Sequence, residues 1–315
     1  MWKDIDRKIK ENQAMKLISV VITTYKRPVE ILKRAIGSVI MQSYRNLELF
    51  IVNDAPLDTK LSNDINELIQ LYQDERITYI VHPKNMGACQ ARNTGIDKAS
   101  GEFIAFLDDD DEWLPDKLEK QLEYTDNEEI GIVYCSWYIV HENGFKQLHH
   151  PKIVYNNFYR EILKSNFIGS TSFPLLRLKA VIECGKFDIN LVSNQDYDLW
   201  IRILKKYQLK FVKDPLVNYY LSSDSTFRKN NDIYIKGNMY IIEKYKNDFM
   251  KFSDAYSYHL NNIALTMLLK HDFKFYRYYK CKAFKFNFLN TNNYFILAIK
   301  VLNKLKRILD YISYH

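Results

Sequence analysis

Glycine and proline are scarce in this chain of 315 residues, with 9 and 7 copies, and cysteine is scarcer at 4. So little glycine and proline leaves no low-complexity linker, and no internal repeat is visible. Cys89, Cys135, Cys184 and Cys281 form no C-x-x-C pair, which argues against structural zinc and against a disulfide framework. A reducing compartment is expected. No segment approaches the ~18 apolar residues of a membrane-spanning helix. The polar opening Met1-Trp2-Lys3-Asp4 does not read as a signal peptide. The expectation is a cytoplasmic protein, free or peripheral at the inner face of a membrane. Glycine-cradled phosphate is disfavoured as well, because neither G-x-G-x-x-G nor G-x-x-x-x-G-K follows any apolar run.

What is present points to a globular protein: 47% of residues are hydrophobic and 15% aromatic. The length allows one large or two modest domains with ample core. The net charge of +7 is unevenly placed, with acid in mid-chain and base in the tail from about Lys270.

Residues 1–15 are polar and read as an extension ahead of the fold. Apolar runs at 17–22, 47–52, 77–81 and 103–107 read as buried strands, separated by helical patterns at 29–41, 61–72 and 87–99. Strand alternating with helix at this spacing predicts parallel βαβ units with right-handed crossovers. Strand character resumes at 130–140, a helix is expected over 196–206, and a short strand over 209–212. Beyond about Asn230 the pattern is helical. The resulting division is a domain over 16–229, with one half to 115 and a second from 116, then a helical region over 230–315.

The run Phe103-Ile104-Ala105-Phe106-Leu107 leads straight into Asp108-Asp109-Asp110-Asp111, so four carboxylates stand where a buried strand emerges. In open α/β sheets ligands bind at such strand ends. Asp108 and Asp110 lie two apart, and both reach one ion if the backbone turns there. Hard oxygen donors suit Mg²⁺ or Mn²⁺. The plainer alternative is an acidic cap on the helix expected after a turn at 112–118.

Five segments in order carry a resemblance: Val-Val-Ile-Thr-Thr-Tyr (20–25), Phe-Ile-Val-Asn-Asp (50–54), Asn-Met-Gly-Ala-Cys-Gln-Ala-Arg-Asn-Thr-Gly-Ile (85–96), Gly-Glu-Phe-Ile-Ala-Phe-Leu-Asp-Asp-Asp-Asp (101–111) and Asn-Gln-Asp-Tyr-Asp-Leu-Trp (194–200). Together they resemble family 2 glycosyltransferases. The resemblance implies the GT-A fold, an α/β architecture with a Rossmann-like, mostly parallel sheet flanked by helices. It also implies a nucleotide-sugar donor, usually UDP-linked, a Mn²⁺ or Mg²⁺ ion held at a D-x-D motif, and transfer with inversion. Carried onto these positions, it places Thr23 and Tyr25 in the base pocket, with Asp54 accepting from the uracil. Arg92 faces phosphate or a uracil carbonyl, and Asp109 contacts the ribose. Asp108 and Asp110 form the metal side, Asp110 the stronger of the two. Asp196 becomes the general base that takes a proton from the acceptor hydroxyl. Taken alone, Thr23 and Asp54 read by default as turn and cap residues, and Asp196 as a helix-start carboxylate.

Three departures stand out. Asn53 occupies a position where many relatives carry Asp, and Gln195 replaces the commoner Glu. In the segment from Tyr219 to Ser225 no His appears where relatives supply a further metal ligand, leaving Asp224, a water, or a weaker metal site. His149-His150 reads as a solvated loop pair.

The tail from His271 mixes aromatic and basic residues, and 294–314 reads as an amphipathic helix. That composition suits an anionic membrane surface, while a helical cap or a dimer contact fits equally. Nucleic acid is not an expected partner. The acceptor is expected to be a glycan or a lipid-linked sugar. The competing functions are a sugar-nucleotide nucleotidyltransferase, disfavoured because Thr23–Pro28 lacks a glycine- and arginine-rich loop, and a scaffold with a dead site.

Overall fold

The computed structural model describes residues 16–55, 58–221 and 231–286. The extension at 1–15, the tail helix expected at 294–314 and Asp224 lie outside the described residues. In chain order the elements are β1 (Ile18–Thr24), α1 (Val29–Ile40), β2 (Leu47–Asn53), α2 (Thr59–Tyr72), β3 (Ile77–Val81), α3 (Ala88–Lys98), β4 (Phe103–Asp108), β5 (Glu112–Trp113), α4 (Lys117–Leu122), β6 (Ile130–Val140), β7 (Lys146–His149), α5 (Phe158–Lys164), β8 (Leu175–Arg177), α6 (Leu178–Glu183), α7 (Gln195–Leu204), β9 (Gln208–Tyr220), α8 (Asn231–Lys244), α9 (Lys246–Lys251), α10 (Ser253–Leu269) and α11 (Phe273–Phe286).

These elements divide into two compact units. The first runs to Ile162 and resumes from Asn166 to Leu221; the second holds Leu163–Ser165 and the helices from α8 onward.

In the first unit all nine strands form one sheet, in the order β3-β2-β1-β4-β8-β6-β9-β5, with β7 pairing on β6. The pairs β3–β2, β2–β1 and β1–β4 are parallel, as the βαβ pattern predicts. β1 is buried at every position but half-buried Thr23, with Ile18, Val20, Val21 and Ile22 as its apolar residues, because both its faces are covered. On α1 the buried residues Leu32, Ala35, Ile36 and Val39 recur at helical spacing, so one stripe seals the sheet. α2 starts where the Asp58 side chain accepts from Leu61 N at 3.0 Å, satisfying one of the free N–H groups of the first turn. α3 lies so close to β1 that a Cβ on Gly95 would stand 2.4 Å from Val21 Cγ1.

The second half of the sheet corrects several expectations. β8 runs antiparallel to both β4 and β6, whereas β9 is parallel to β6. The short strand expected at 209–212 is the start of the 13-residue β9. Lys213, Asp214 and Pro215 obscure its continuation, and a register irregularity between Cys135/Val212 and Ser136/Pro215 absorbs the missing proline N–H. The turn expected at 112–118 holds a two-residue strand that pairs with β9 before α4 begins. His149 is not in a loop: it ends β7, its ring 4.4 Å from that of Trp137, while His150 Nδ1 lies 2.9 Å from Ser136 Oγ.

Lys117, on α4, is fully buried. Its Nζ donates to Gln121 Oε1 at 2.7 Å and lies 4.1 Å from the Trp113 ring centroid. Burial pushes its pKa down to about 7.

The second unit is helical. In it the imidazole of buried His259 lies 2.8 Å from the Leu163 carbonyl, and Lys164 pairs with Asp254 at 2.9 Å.

Candidate active site

The parallel register sets Thr23 beside Asp108 on one side and Val52 on the other, so β1, β2 and β4 deliver their C-terminal residues to one edge of the sheet. The four carboxylates expected there are present, and each is held by a different set of partners.

Asp108 closes β4. Its Oδ1 accepts from Arg92 NH2 at 2.8 Å and Thr171 Oγ1 at 2.9 Å, and its Oδ2 from Ser170 Oγ at 2.9 Å. Burial raises its pKa, but Arg92 and the hydroxyls outweigh that and hold it below the usual carboxylate range. Asp109 is buried, with Oδ1 accepting from Arg27 Nε at 2.8 Å. Burial pushes it up to about 6 despite that arginine. The second arm of the Arg27 fork donates to Asp110 Oδ2 at 2.9 Å. Asp110 keeps about a third of its side chain exposed, at 32%, and is raised by burial and by Asp108. Asp111 turns inward: it is fully buried, accepts from Ser172 Oγ at 2.6 Å and from Tyr220 N at 3.2 Å, and is raised well above its ordinary value, first by burial and then by its acidic neighbours.

Among the described residues no three His, Cys, Asp or Glu side chains converge closely enough to form a metal cage by themselves. The chemistry of the donor set still fits a hard divalent cation. Oxygen ligands crowd at Asp109 and Asp110, and the charge they concentrate is met here by the Arg27 guanidinium. A diphosphate would have to supply the remaining oxygens.

The expected base-pocket residues sit on the β1–β2 side. Thr23 is half-buried in β1, and Tyr25 is 49% exposed in the turn beyond it. Asp54 has more work than a base-reading role implies. It is buried, accepts from Met86 N and Gly87 N at 2.8 Å each, and lies 2.8 Å from His82 Nδ1. Gly87 has φ 86°, a left-handed conformation that favours glycine, so the loop into α3 is shaped for this clamp. Asn53 beside it is a structural residue. Its Nδ2 donates to Ser62 Oγ at 3.1 Å and Tyr79 OH at 2.9 Å while its Oδ1 accepts from Ala55 N at 2.9 Å. An aspartate could not make both kinds of bond.

Arg92 reaches across the cleft. While NH2 pairs with Asp108, its NH1 donates to Gln195 Oε1 at 3.1 Å, so the start of α7 is tied to the end of β4. α7 begins after Asn194, at φ 60°, and Asp196 stands in its first turn. Asp196 Oδ1 accepts from Tyr197 N at 2.7 Å and Oδ2 from Asn166 Nδ2 at 3.3 Å. Burial raises its pKa to about 6, with the Tyr197 N–H and Arg92 opposing and Asp108 adding to the rise. Asp198, two residues on, is buried, and its Oδ2 accepts from Arg202 Nε at 2.9 Å and NH2 at 2.7 Å.

Several contributors went unread in the sequence. Arg27 and Arg34 come from the β1 turn and α1; Arg34 donates to the Asp110 carbonyl at 2.6 Å and stacks 3.5 Å over the Tyr220 ring. Ser170, Thr171 and Ser172 come from the loop before β8, and Asn166 from the loop after α5. The only local signals were Lys26-Arg27-Pro28, a basic turn after a strand, and the hydroxyl run at 170–172.

Comparison with known proteins agrees with this geometry. The sequence profile of Glycosyl transferase family 2 matches residues 19–186. An uncharacterized glycosyltransferase of Methanocaldococcus jannaschii is 33% identical over 208 residues, 64% of this chain and 70% of that one. A UDP-Glc:alpha-D-GlcNAc-diphosphoundecaprenol beta-1,3-glucosyltransferase of Escherichia coli is 29% identical over 262 residues, 82% of this chain and 96% of that one. Among solved structures, a mannosyltransferase of Pyrobaculum calidifontis in complex with GDP-Man and Mn²⁺ superposes with TM-score 0.62 at 15% identity, over 91% of this chain and 80% of that one, a likeness of fold. Profile, relatives and fold agree: the chain is a glycosyltransferase of GT-A architecture and belongs to glycosyl transferase family 2.

Proposed function

We propose that the chain transfers a sugar, with inversion, from a UDP-linked donor to a hydroxyl of a glycan or lipid-linked acceptor at the cytoplasmic face of a membrane. The E. coli relative, whose name gives a UDP-Glc donor and a diphosphoundecaprenol acceptor, supports the two classes of substrate. The observation that carries the reaction is the Arg92 bridge, which brings Asp108 and the start of α7 to one cleft.

In this reading Asp196 is the general base. A carboxylate with a pKa of about 6 is ionised at neutral pH yet basic enough to accept a proton. It takes the proton of the acceptor hydroxyl as that oxygen bonds to the anomeric carbon and the bond from that carbon to the diphosphate oxygen breaks. The electron pair leaves with UDP. Tyr197 N–H and Asn166 fix the carboxylate so that little orientation is lost on binding. Asp110, with Asp109 next to it, would hold a Mn²⁺ or Mg²⁺ ion, whose chemistry is to neutralise charge developing on the diphosphate. Asp108, with three donors already on its oxygens, serves that site best by orienting Arg92.

Incubation with UDP-sugars and Mn²⁺ tests this. Slow UDP release from one donor, accelerated by a lipid-linked or oligosaccharide acceptor and giving a product of inverted anomeric configuration by NMR, is expected. Retained configuration, or release of a nucleoside monophosphate, would refute it.

A further inference from the structure

The helix α11 has two faces of opposite character. Its buried side, with Tyr279 and Ala283, packs within the helical unit: the Ala283 carbonyl accepts from Ser257 Oγ at 3.2 Å, and Lys280 Nζ donates to Asn261 Oδ1 at 2.8 Å, both partners on α10. Its other side carries Lys274, Arg277, Tyr278, Cys281 and Lys285, all exposed. At 3.6 residues per turn these five fall within roughly 100° of arc. Phe273 and Phe275 flank them in the first turn, 57% and 48% exposed. The helix contains five basic residues and no acidic one. Exposed aromatic rings grouped beside a run of positive charge mark a surface for interaction. No helix among the described residues is long and apolar enough to cross a bilayer.

We propose that this exposed face of α11 docks flat on an anionic lipid surface, with Lys274, Arg277 and Lys285 meeting phosphate headgroups and Phe273, Phe275 and Tyr278 entering the interface. The charge is complementary to a leaflet rich in phosphatidylglycerol or similar lipids, and an amphipathic helix with aromatic and basic residues suits the headgroup boundary. The inference stands on α11 itself, and its test does not read sugar transfer, so either reading can fail without the other.

The full chain is mixed with vesicles of phosphatidylglycerol and phosphatidylcholine in equal parts, or of phosphatidylcholine alone, and floated on a density gradient. Flotation is expected only with the anionic vesicles and should decline as salt rises. Each basic residue near such a surface contributes about fivefold. Lys274→Glu with Arg277→Glu should therefore weaken binding at least about 25-fold, and Phe273→Ser with Phe275→Ser should weaken it independently of salt. Lys33→Glu with Lys60→Glu, the same charge change on exposed positions of the first unit, should leave it near native. Thermal melting of every variant guards against misfolding. Equal flotation of the α11 variants and the native chain would overturn the proposal, as would equal binding to phosphatidylcholine alone. It falls too if vesicles are not bound while an RNA oligomer is, or if the only effect of the α11 charge reversal is to turn a dimer into a monomer.

Discussion

Asn166 donates its side-chain amide to Asp196 Oδ2 at 3.3 Å while its own oxygen accepts from Gly169 N at 2.9 Å, so one asparagine both shapes its loop and aims the carboxylate. Asp196→Asn should keep nucleotide affinity but lose on the order of 10²- to 10⁴-fold in transfer rate, the usual share of general base catalysis. Asn166→Ala should cost roughly tenfold, because removing a donor to the ionised form disfavours that form. Steady-state kinetics alongside calorimetry with UDP would separate the two effects, and a near-native rate for Asp196→Asn would move the base elsewhere.

The pH profile carries the same assignment. With Asp196 raised to about 6, the required form is the ionised one. Transfer should therefore be level above pH ~7 and fall about tenfold per unit well below pH 6. In Asn166→Ala the falling limb should move to higher pH. A limb unmoved by that change would detach Asn166 from the base.

Nucleotide binding should depend on a divalent cation. UDP should bind far more tightly with Mn²⁺ or Mg²⁺ than with EDTA, and Asp110→Ala should erase the difference, because Asp110 is the acidic residue at which the Arg27 fork meets solvent. Titration calorimetry decides this; equal affinity with and without metal would remove the ion from the site.

Asp54→Asn should lower stability by about 1–3 kcal/mol whatever it does to uracil recognition. An amide cannot accept through its nitrogen, so either Met86 N–H loses this acceptor or Gly87 N–H is left to its longer bond with Asn85 Oδ1 at 3.1 Å. Chemical denaturation of the apoprotein measures it. A neutral result would mean the loop is held by other means.

Lys117 offers a stability test remote from catalysis. Its folded pKa of about 7 lies below the ordinary 10.5, so above pH 7 the folded chain releases a proton that the unfolded chain keeps. Stability from this group therefore rises from pH 7 toward pH 10.5, and the burial penalty is full below pH 7. Lys117→Met should raise the melting temperature at pH 6 and flatten the rise with pH seen in the native protein. Parallel pH curves for the two proteins would mean that the ammonium is solvated.

The strands β1 to β4 were legible within about two residues, because each is an apolar run covered on both faces and bounded by turn residues. β9 was read as a third of its length, since Lys213, Asp214 and Pro215 break the apolar pattern while the backbone pairing continues past them. α5, β8 and α6 escaped because they are 7, 3 and 6 residues long, too short for either periodicity to show. At the site, the acidic residues stood in recognisable segments. Arg27, Asn166 and Ser170–Ser172 did not, because what brings them there is tertiary: Ser170 meets Asp108 across 62 positions of chain, and Arg27 meets Asp109 across 82. No local pattern encodes such a meeting.

Asp111 joins the end of β4 to Ser172, 61 positions away, and to Tyr220, 109 away. Loop closure over such distances carries an entropic cost that must be met before the bonds form. The catalytic edge of the sheet is therefore expected to be among the last regions to order during folding and among the first to open under denaturant. Amide exchange at Tyr220 should outpace exchange at Val21, in the middle of the sheet, and activity should disappear before the sheet does.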